Sequence, residues 1–511
     1  MSLQLKEYKT TQGEIILYNG TPNFEKLEVL SQSFGDIWHS SFEQGYKNAF
    51  PEIVYQTITF YTRDFDNLNE CVSWRINPNQ FAVRKSVWMT LNGFDNDFSN
   101  KQMQAIDFGY RAIHFGAVPI YVKGLFESNG QETIAIPPKD RYAFFIKKYK
   151  TDHALFMIYR VGFWKISEWN AFFYAKKNFK LKDDIPVMEP RKLNAIKGNP
   201  TVSYIIPTMM RQDYTLKLLS DLSNQTHIPT QVVIVDATPE SERNESLYNS
   251  INFPFEVIVK WQETKGSCRA RNEAIQLCTG DYIVFGDDDI RIPSNYIENH
   301  ISFIQTYKVD ACNGLDVRAD NQNQNLNDLS HKLTNMGKYR YLSGVAQIFN
   351  NANNCVKREF VNQLVGNDVN FDGGYGEDND FGLSLIKSGV VVLQNPFSAN
   401  LHLKPAIGGY RFWGNQANIL GKKRKKQPWE LDTPVKWIRP IPSPTVVYFY
   451  IKHYEPQILK EYRSKYLVLY LFKGPIFALP LRIVKLPFRK LQFKKAVFYA
   501  DKLIKLGKRT V

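Results

Sequence analysis

The sequence predicts an α/β protein whose main domain has a mostly parallel sheet with helices on both faces. Its strands are continuous apolar runs, and helical patterns separate them. Runs of that kind are typical of strands that are buried on both faces. At 511 residues the chain is long enough for two or three domains with separate cores. The runs are VSYIIP (202–207), QVVIVDA (231–237), EVIVKW (256–261) and YIVFG (282–286).

The composition along the chain predicts three parts. Residues 1–190 form a smaller α/β domain, 191–420 form the main domain, and 421–511 form a basic, mostly helical tail. Residues 181–200 combine several prolines with mixed charge, which is typical of a linker.

The smaller domain contains a segment that resembles part of the main one. Residues 81–122 and 355–393 share one order: Val and a basic pair, a helix, Gly, an acid-rich loop, Asp-Phe-Gly, a second helix, Gly and a β-branched strand. The Asp-Phe-Gly at 107–109 corresponds to that at 380–382. We interpret the two segments as an internal repeat; the alternative is chance similarity between two helical stretches.

The two copies differ at two informative positions. The second copy has Glu377-Asp378 ahead of its Asp-Phe-Gly, and the first has Gln104-Ala105 there. Because the first copy keeps the packing residues without the paired carboxylates, we expect residues 1–190 to be a degenerate, non-catalytic relative of the main domain.

Three consecutive acids, Asp287, Asp288 and Asp289, follow the strand 282–286. Open α/β sheets bind ligands where their strands end. A run of acids repels itself unless a cation lies among them, and oxygen ligands suit Mg²⁺ or Mn²⁺. A solvated acidic turn is the alternative, but the neighbouring motifs favour a cation site.

The stretch KGSCRARNEAI (265–275) lies between the acids and the preceding strand ends. It places a Gly-Ser turn at the start of a basic helix, and a helix N-terminus with nearby Arg side chains suits phosphate. Strand ends at Pro207-Thr208 and Asp236 add polar groups at the same edge. This set can supply a base pocket, a ribose contact and a counter-charge for a nucleotide diphosphate.

Glu377 and Asp378 follow the glycine-rich loop 373–376 and precede an apolar helix. A helix N-terminus stabilises an ionised carboxylate, and the glycines allow a ligand to approach closely. A helix cap is the alternative interpretation of this pair, and capping and catalysis are compatible.

These motifs together resemble the successive signatures of family 2 glycosyltransferases of the GT-A fold. The matching stretches are YIIPTMMR, VVIVDAT, KGSCRARNEAIQLCTGDYIVFGDDD and GGYGEDNDFGLSLIKSG, within about residues 200–405. Residues 81–122 resemble the acceptor-side segment of the same superfamily, as in galactosyltransferases. The resemblance implies a Rossmann-like catalytic domain and a hexosyltransferase. Such an enzyme moves a sugar, with inversion and a divalent metal, from a nucleotide sugar to a glycan or lipid-linked acceptor, as in surface polysaccharide synthesis. The implied donor is UDP-linked.

The resemblance also implies roles for residues of the donor site. Pro207 and Thr208 would line the nucleotide pocket, and Asp236 would contact the uracil or ribose. Lys265 and Arg271 would lie near the pyrophosphate.

Two further sets of roles concern the metal and the chemistry. Asp287 and Asp289 match the two acids of the DXD motif, and Asp288 between them would contribute to the nucleotide site. His402 stands where some relatives place another metal ligand, although a lone histidine is often structural. Asp378 matches the catalytic base of inverting enzymes, and Glu377 would hold the donor sugar or the acceptor.

The formal charge of +15 is concentrated near the C-terminus, where residues 465–511 carry twelve Lys or Arg and one acid, Asp501. A second basic cluster occupies 422–426. Such charge attracts nucleic acid or an anionic membrane. The chain has no nucleic-acid module signature, and the interleaved apolar residues favour segments that lie on a membrane surface. The alternative is a helical appendage packed on the main domain.

The cellular location is predicted from sequence features that the chain does not show. Five cysteines without CxxC spacing indicate reduced thiols. The first residues lack the apolar core of a signal peptide, and no run of about 18 apolar residues predicts a membrane span. We therefore expect a cytoplasmic protein, peripheral on the inner face of the membrane.

Two other functions remain open at this point. A nucleotidyltransferase also uses acids, a metal and a nucleotide, but YIIPTMMR lacks the glycines of a phosphate loop. A non-catalytic relative that binds glycans or membranes would not need to retain the acids at 287–289 and 377–378.

Overall fold

The computed structural model describes residues 4–40, 60–61, 65, 67–127, 136–149, 151–181, 186–248, 251–406, 408–410, 426–472 and 474–511. The basic cluster at 422–426 lies outside the described residues except for Lys426. The chain forms two compact units. The first comprises Met1–Pro190, Tyr341–Gln347 and Lys460–Leu486, and the second comprises Arg191–Arg340, Ile348–Leu459 and Pro487–Val511. The first segment of the first unit ends at Pro190, and this unit also takes Tyr341–Gln347 from the predicted main domain and Lys460–Leu486 from the predicted tail. The predicted division into three domains stays a prediction.

The first unit has a six-stranded sheet with the strand order β1-β2-β5-β3-β6-β4. Its elements up to residue 178 are β1 (Lys6–Lys9), β2 (Ile15–Asn19), α1 (Phe24–Ser31), β3 (Ile37–His39), β4 (Glu70–Val72), β5 (Phe81–Arg84), α2 (Lys85–Thr90), α3 (Lys101–His114), β6 (Pro119–Val122), α4 (Pro138–Lys148), α5 (Thr151–Val161) and α6 (Ile166–Asn178).

The remaining elements start at residue 202, and the short strand β13 belongs to the first unit. They are β7 (Val202–Thr208), α7 (Gln212–Ser223), β8 (Gln231–Asp236), β9 (Glu256–Trp261), α8 (Ser267–Leu277), β10 (Tyr282–Gly286), β11 (Ile290–Arg291), α9 (Tyr296–Tyr307), β12 (Ala311–Arg318), α10 (Leu326–Met336), β13 (Gly344–Val345), β14 (Asn353–Lys357), α11 (Arg358–Gln363), α12 (Glu377–Lys387), β15 (Val392–His402), α13 (Pro444–His453), α14 (Pro456–Phe472) and α15 (Leu479–Leu506).

The sheet of the second unit confirms the predicted α/β class. Its strands follow the order β11-β15-β12-β14-β10-β7-β8-β9. The four strands predicted from apolar runs, β7, β8, β9 and β10, pair in parallel. Antiparallel β14 joins this part to β12, which pairs in parallel with β15. The sheet is therefore parallel where the sequence indicated it and mixed beyond β10.

The structure gives the predicted repeat the same topology in both units. Strand, short helix, helix and strand follow one another as β5-α2-α3-β6 and as β14-α11-α12-β15. In the first unit β3 pairs antiparallel with β5 and parallel with β6, and in the second unit β12 pairs in the same way with β14 and β15. Chance similarity of two helical stretches does not predict this arrangement of three strands.

One local contact is also repeated. The N–H of Arg84 donates to the Asp36 carbonyl at 3.0 Å, and that of Lys357 donates to the Asp310 carbonyl at 2.9 Å. The side chains of the same two pairs form ion pairs of 3.2 and 2.6 Å. Each pair fixes the start of a short helix against the strand that lies between the two repeat strands.

The shared Asp-Phe-Gly aspartate is structural in both copies. Asp107 is buried and its carboxylate pairs with Arg111 at 2.7 Å. Asp380 is buried and pairs with Lys452 at 2.7 Å. Buried carboxylates need such compensation, so the conserved spacing of this residue reflects packing rather than catalysis.

The last helix divides into two parts with different surroundings. Near its start several apolar side chains are exposed, whereas Phe493, Ala496, Tyr499, Ala500 and Leu503 are buried. Within the described residues no single helix is long and apolar enough to cross a membrane; α14 and residues 476–506 reach that length and composition only as a bent pair.

Candidate active site

Three strand ends meet at one edge of the second unit's sheet. The parallel register pairs Ile205 of β7 with Phe285 of β10, and Thr208 of β7 with Asp236 of β8. Because these strands run in the same direction, Thr208, Asp236 and the acids after β10 lie at the same carboxyl edge.

Asp287, Asp289 and His402 form a cluster that could hold a metal ion, with one ligand atom from each side chain within 4.8 Å of the others. The two-residue strand β11 explains this: Ile290 pairs with His402 on β15, so the histidine lies beside Asp289. His402 Nε2 is 3.2 Å from Asp289 Oδ1. Two carboxylates and an imidazole are a donor set that a divalent cation accepts, and the residues present therefore fit a metal.

Asp316 orients the histidine from its other side. Its Oδ1 lies 3.0 Å from His402 Nδ1 and accepts a hydrogen bond of 2.8 Å from Asn400. A carboxylate on the far nitrogen fixes the ring orientation of a metal-binding histidine. Burial would lower the pKa of His402, but Asp289 and Asp316 raise it to about 10 in the absence of metal.

Asp288 faces different partners from its two neighbours. Its Oδ2 accepts a 2.7 Å hydrogen bond from Thr208 Oγ1, and its Oδ1 lies 3.1 Å from Arg211 Nη1. Burial raises the pKa of Asp288 to about 7, although Arg211 opposes the shift. Arg211 also donates to Asp289 at 2.9 Å, so one guanidinium balances both acids.

Arg271 stands on α8, one turn into a helix that starts at Ser267. Its Nη2 donates to Asp287 Oδ1 at 2.7 Å. Burial would lower its pKa, but Asp287, Asp378 and Glu377 raise it above the usual value. A buried, fully charged guanidinium is thus placed among the acids of both motifs.

Glu377 and Asp378 occupy the first turn of α12, as the sequence predicted. Gly376 precedes them with φ +109°, a left-handed conformation that favours glycine. Asn351 Nδ2 donates to Asp378 Oδ1 at 2.7 Å and holds this carboxylate in place.

The two acidic motifs open into one cavity of about 790 Å³. That volume lies within the range of small-molecule pockets. Its lining includes most of the predicted site residues, together with Arg211: Pro207, Arg211, Arg271, Asp287, Asp288, Asp289, Glu377, Asp378 and His402.

Three predicted residues are not among the described lining residues of this cavity: Thr208, Asp236 and Lys265. Thr208 is fully buried, and its hydroxyl is the donor to Asp288 described above. Asp236 is fully buried, and its oxygens accept from Tyr248 Oη at 2.9 Å and from the Thr238 N–H at 2.8 Å. It is not among the described lining residues, so its predicted contact with the base stays a prediction. Lys265 lines a second cavity of about 470 Å³. Both cavities are lined by Ser267, Gly373, Tyr410 and Gln427.

Sequence reasoning missed Arg211, Asp316 and Asn351. Arg211 was visible as the basic residue of YIIPTMMR, immediately after β7. Asp316 and Asn351 have no local signal, because they reach the site through the pairing of β12 with β15 and through the turn before β14.

The loop that carries Glu377 and Asp378 is held by the end of the chain. Residues 507–511, which we call the C-terminal strap, run beside 366–372. The hydrogen bonds are Asn370 Nδ2 to the Gly507 carbonyl at 2.6 Å, the Val369 N–H to the Arg509 carbonyl at 2.7 Å, Arg509 Nε to Asn370 Oδ1 at 2.7 Å, and Lys508 Nζ to the Gly366 carbonyl at 3.0 Å.

The strap also reaches the helix of Arg271. Asn272 Nδ2 donates to the Thr510 carbonyl at 2.8 Å and to the Asn367 carbonyl at 2.9 Å. Asp372, just before the glycine loop, accepts from the Cys268 N–H at 2.7 Å and so caps the start of α8. The loop, α8 and the strap therefore form one hydrogen-bonded assembly behind the cavity.

Comparison with known proteins identifies related sequences. The family model described as Glycosyl transferase family 2 matches residues 203–364. WcaA of Escherichia coli (strain K12), whose name assigns it to colanic acid biosynthesis as a glycosyl transferase, is 28% identical over 114 residues, which is 22% of this chain and 39% of WcaA. TuaG of Bacillus subtilis (strain 168), named for a glycosyltransferase of teichuronic acid biosynthesis, is 27% identical over 107 residues, which is 20% of this chain and 42% of TuaG. The matches thus span less than half the length of these relatives.

Among solved structures, the chain matches the mannosyltransferase PcManGT from Pyrobaculum calidifontis, which was solved in complex with GDP-Man and Mn²⁺. The match has 17% sequence identity and covers 63% of this chain and 92% of that one. Its TM-score of 0.35 is too low to support a conclusion about this chain.

Proposed function

We propose that this chain, which carries a glycosyl transferase family 2 domain at residues 203–364, is a GT-A glycosyltransferase that moves a sugar from a nucleotide sugar to a hydroxyl group of a glycan. One observation carries the proposal: the acids after β10 and the acids at the start of α12 line the same cavity. A donor can therefore lie with its diphosphate at the first set and its sugar at the second.

The charges of the cavity support this orientation. Arg271 lies in the N-terminal part of α8, and its guanidinium is charged. Such a group would stabilise the negative charge of a departing diphosphate. A divalent cation held by Asp287, Asp289 and His402 would neutralise further negative charge on the leaving group. The imidazole in this donor set fits Mn²⁺ better than Mg²⁺.

In the proposed reaction Asp378 is the general base. Its carboxylate takes the proton from the acceptor hydroxyl while that oxygen bonds to the anomeric carbon. The bond from this carbon to the diphosphate breaks, and the diphosphate leaves with the electron pair. Attack from the face opposite the leaving group inverts the anomeric centre. Asn351 holds Asp378, and Glu377 faces the donor sugar or the acceptor.

We further propose a UDP-linked donor and an acceptor of surface polysaccharide synthesis, either a glycan or a lipid-linked oligosaccharide. The names of WcaA and TuaG, which refer to colanic and teichuronic acid, support the polysaccharide class. A cytoplasmic location on the inner membrane face follows as a proposal from such an acceptor and from the basic tail. Residues 1–190 would serve as a non-catalytic partner domain, which Ala105 at the position of Asp378 supports.

A panel of UDP- and GDP-sugars with Mn²⁺, offered with oligosaccharide acceptors, tests the proposal. We expect release of the nucleoside diphosphate with one donor, and an anomeric configuration in the product opposite to that of the donor. Release of pyrophosphate instead would indicate a nucleotidyltransferase. Binding of donors without any release would indicate a non-catalytic relative.

Deleting residues 507–511 should lower the transfer rate by at least about tenfold, because a misplaced catalytic group costs that much or more. The deletion removes the hydrogen bonds that hold the segment before the glycine loop. Turnover and melting temperature would be measured together. Deleting Val511 alone is the matched control, since this residue is 73% exposed and its removal leaves those bonds intact. Full turnover in the five-residue deletion would contradict the role of the strap.

A further inference from the structure

The link between α14 and α15 presents a cluster of exposed apolar side chains in the first unit. We call residues 472–484 the apolar turn; Lys473 lies outside the described residues. Ile476 and Phe477 at its tip are 84% and 83% exposed. Four more apolar side chains of the turn are exposed: Phe472, Leu481, Ile483 and Val484. Large apolar side chains that are exposed together in one short segment mark a site of interaction.

Arg482 fixes the shape of the turn from within. The residue is buried, and its guanidinium donates to the Leu471 carbonyl at 2.6 Å, to the Ala478 carbonyl at 3.2 Å and to the Pro475 carbonyl. One side chain thus joins the end of α14 to the start of α15. Because the backbone is held at three points, Ile476 and Phe477 are presented outward as part of a formed structure.

The charged residues near the apolar turn are almost all basic. Residues 460–486 carry six Lys or Arg and one acid, Glu461, which pairs with Arg160. Lys485 is exposed one residue after the turn. Cations beside an apolar surface complement an anionic bilayer, where the apolar groups enter the interface and the cations remain at the headgroups.

We propose that the apolar turn inserts into the surface of an anionic lipid bilayer and anchors the enzyme there. A protein partner fits less well, because the core of a protein interface is depleted of charged residues, whereas Lys485 borders these apolar groups. This anchor would give the proposed enzyme the peripheral location proposed above, and it rests on that proposed function. Vesicle binding is measured without donor or acceptor, so a failure to bind vesicles and a failure to transfer sugar are separate results.

Flotation of the full chain with vesicles tests the proposal. We expect binding to vesicles of equal phosphatidylcholine and phosphatidylglycerol, weaker binding to phosphatidylcholine alone, and loss of binding as salt increases. The double substitution Ile476→Ser with Phe477→Ser should weaken partitioning by at least about tenfold, since it removes two large apolar side chains from the inserted surface. Lys485→Glu should weaken binding to the anionic vesicles only.

The matched control changes two apolar side chains that are exposed outside the turn. Val29 and Met89 are 70% and 64% exposed, and the pair Val29→Ser with Met89→Ser should float as the unmodified chain does. A Phe477→Trp variant keeps the apolar surface, and its tryptophan emission should shift to shorter wavelength on anionic vesicles. An unmodified chain that does not float, a double variant that floats normally, or an unshifted emission would each overturn the proposal. The proposal would also be overturned if the double substitution converted a dimer to a monomer without changing flotation, because the turn would then bind a second copy of the chain.

Discussion

Replacing Asp378 by Asn should reduce sugar transfer by about 10²- to 10⁴-fold while donor affinity stays near that of the unmodified enzyme. The amide keeps the size of the side chain and can still contact Asn351, but it cannot take the proton of the acceptor hydroxyl. Turnover with saturating donor and acceptor would be compared with the dissociation constant of UDP. The reduction should appear in kcat, because the proposed base would act in the chemical step.

The carboxylate two residues further on supplies the control. Asp380 lies on the same helix but is buried against Lys452, away from the described lining of the cavity. Asp380→Asn should lower the melting temperature, since it removes one of the two carboxylates that pair with Lys452 and the carboxylate beside His453. It should change kcat little in the protein that remains folded. If Asp378→Asn loses UDP affinity and keeps its kcat, Asp378 binds the donor and the base must be sought elsewhere.

Replacing Asp289 by Asn should weaken Mn²⁺ binding by more than about 100-fold, because even outer partners of metal ligands contribute 10- to 100-fold. Asp289 is one of the three residues of the cluster that could hold a metal ion, and its substitution should therefore also abolish sugar transfer. Titration calorimetry with Mn²⁺, in the absence of donor, measures the affinity independently of turnover. Excess EDTA should abolish transfer by the unmodified enzyme, and added Mn²⁺ should restore it.

Substitutions of two other aspartates provide comparisons for the loss of Mn²⁺ affinity in Asp289→Asn. Asp316→Asn leaves all three ligands present but alters the partner of His402 Nδ1, so the loss of Mn²⁺ affinity should be about 10- to 100-fold. Asp320→Asn changes an acid whose side chain is 70% exposed and should have no effect. Full transfer in EDTA, or unchanged Mn²⁺ affinity in Asp289→Asn, would remove the metal from the mechanism.

The elements that the sequence predicted best are those with a strong local signal. The strand Tyr282–Gly286 and the helix Ser267–Leu277 lie where they were expected, because an apolar run and a Gly-Ser helix start are local patterns. The acids at 287–289 follow that strand and the acids at 377–378 start a helix, as predicted for the same reason. Their roles in donor binding and catalysis stay predictions.

What the sequence did not predict depends on contacts between distant segments. No local pattern placed His402 beside Asp289; the pairing of β11 with β15 brings them together. Its role as a metal ligand stays a prediction. The hydrogen bond that Asp236 accepts from Tyr248, twelve residues away, was likewise not indicated by any local pattern. The predicted contact of Asp236 with the base or ribose stays a prediction. The tail was expected as one region, and it divides because side chains such as Phe493 and Tyr499 are buried near its end while Ile476 and Phe477 are not.

The position of the strap has a consequence for the order of folding. Residues 507–511 close hydrogen bonds to the segment that leads into Glu377 and Asp378 and to Asn272 beside Arg271, across sequence separations of 137 to 238 residues. Contacts between such distant segments carry a loop-closure cost and form more slowly than local ones. We therefore expect the cavity to gain this support late, after the helices and strands of the second unit have formed.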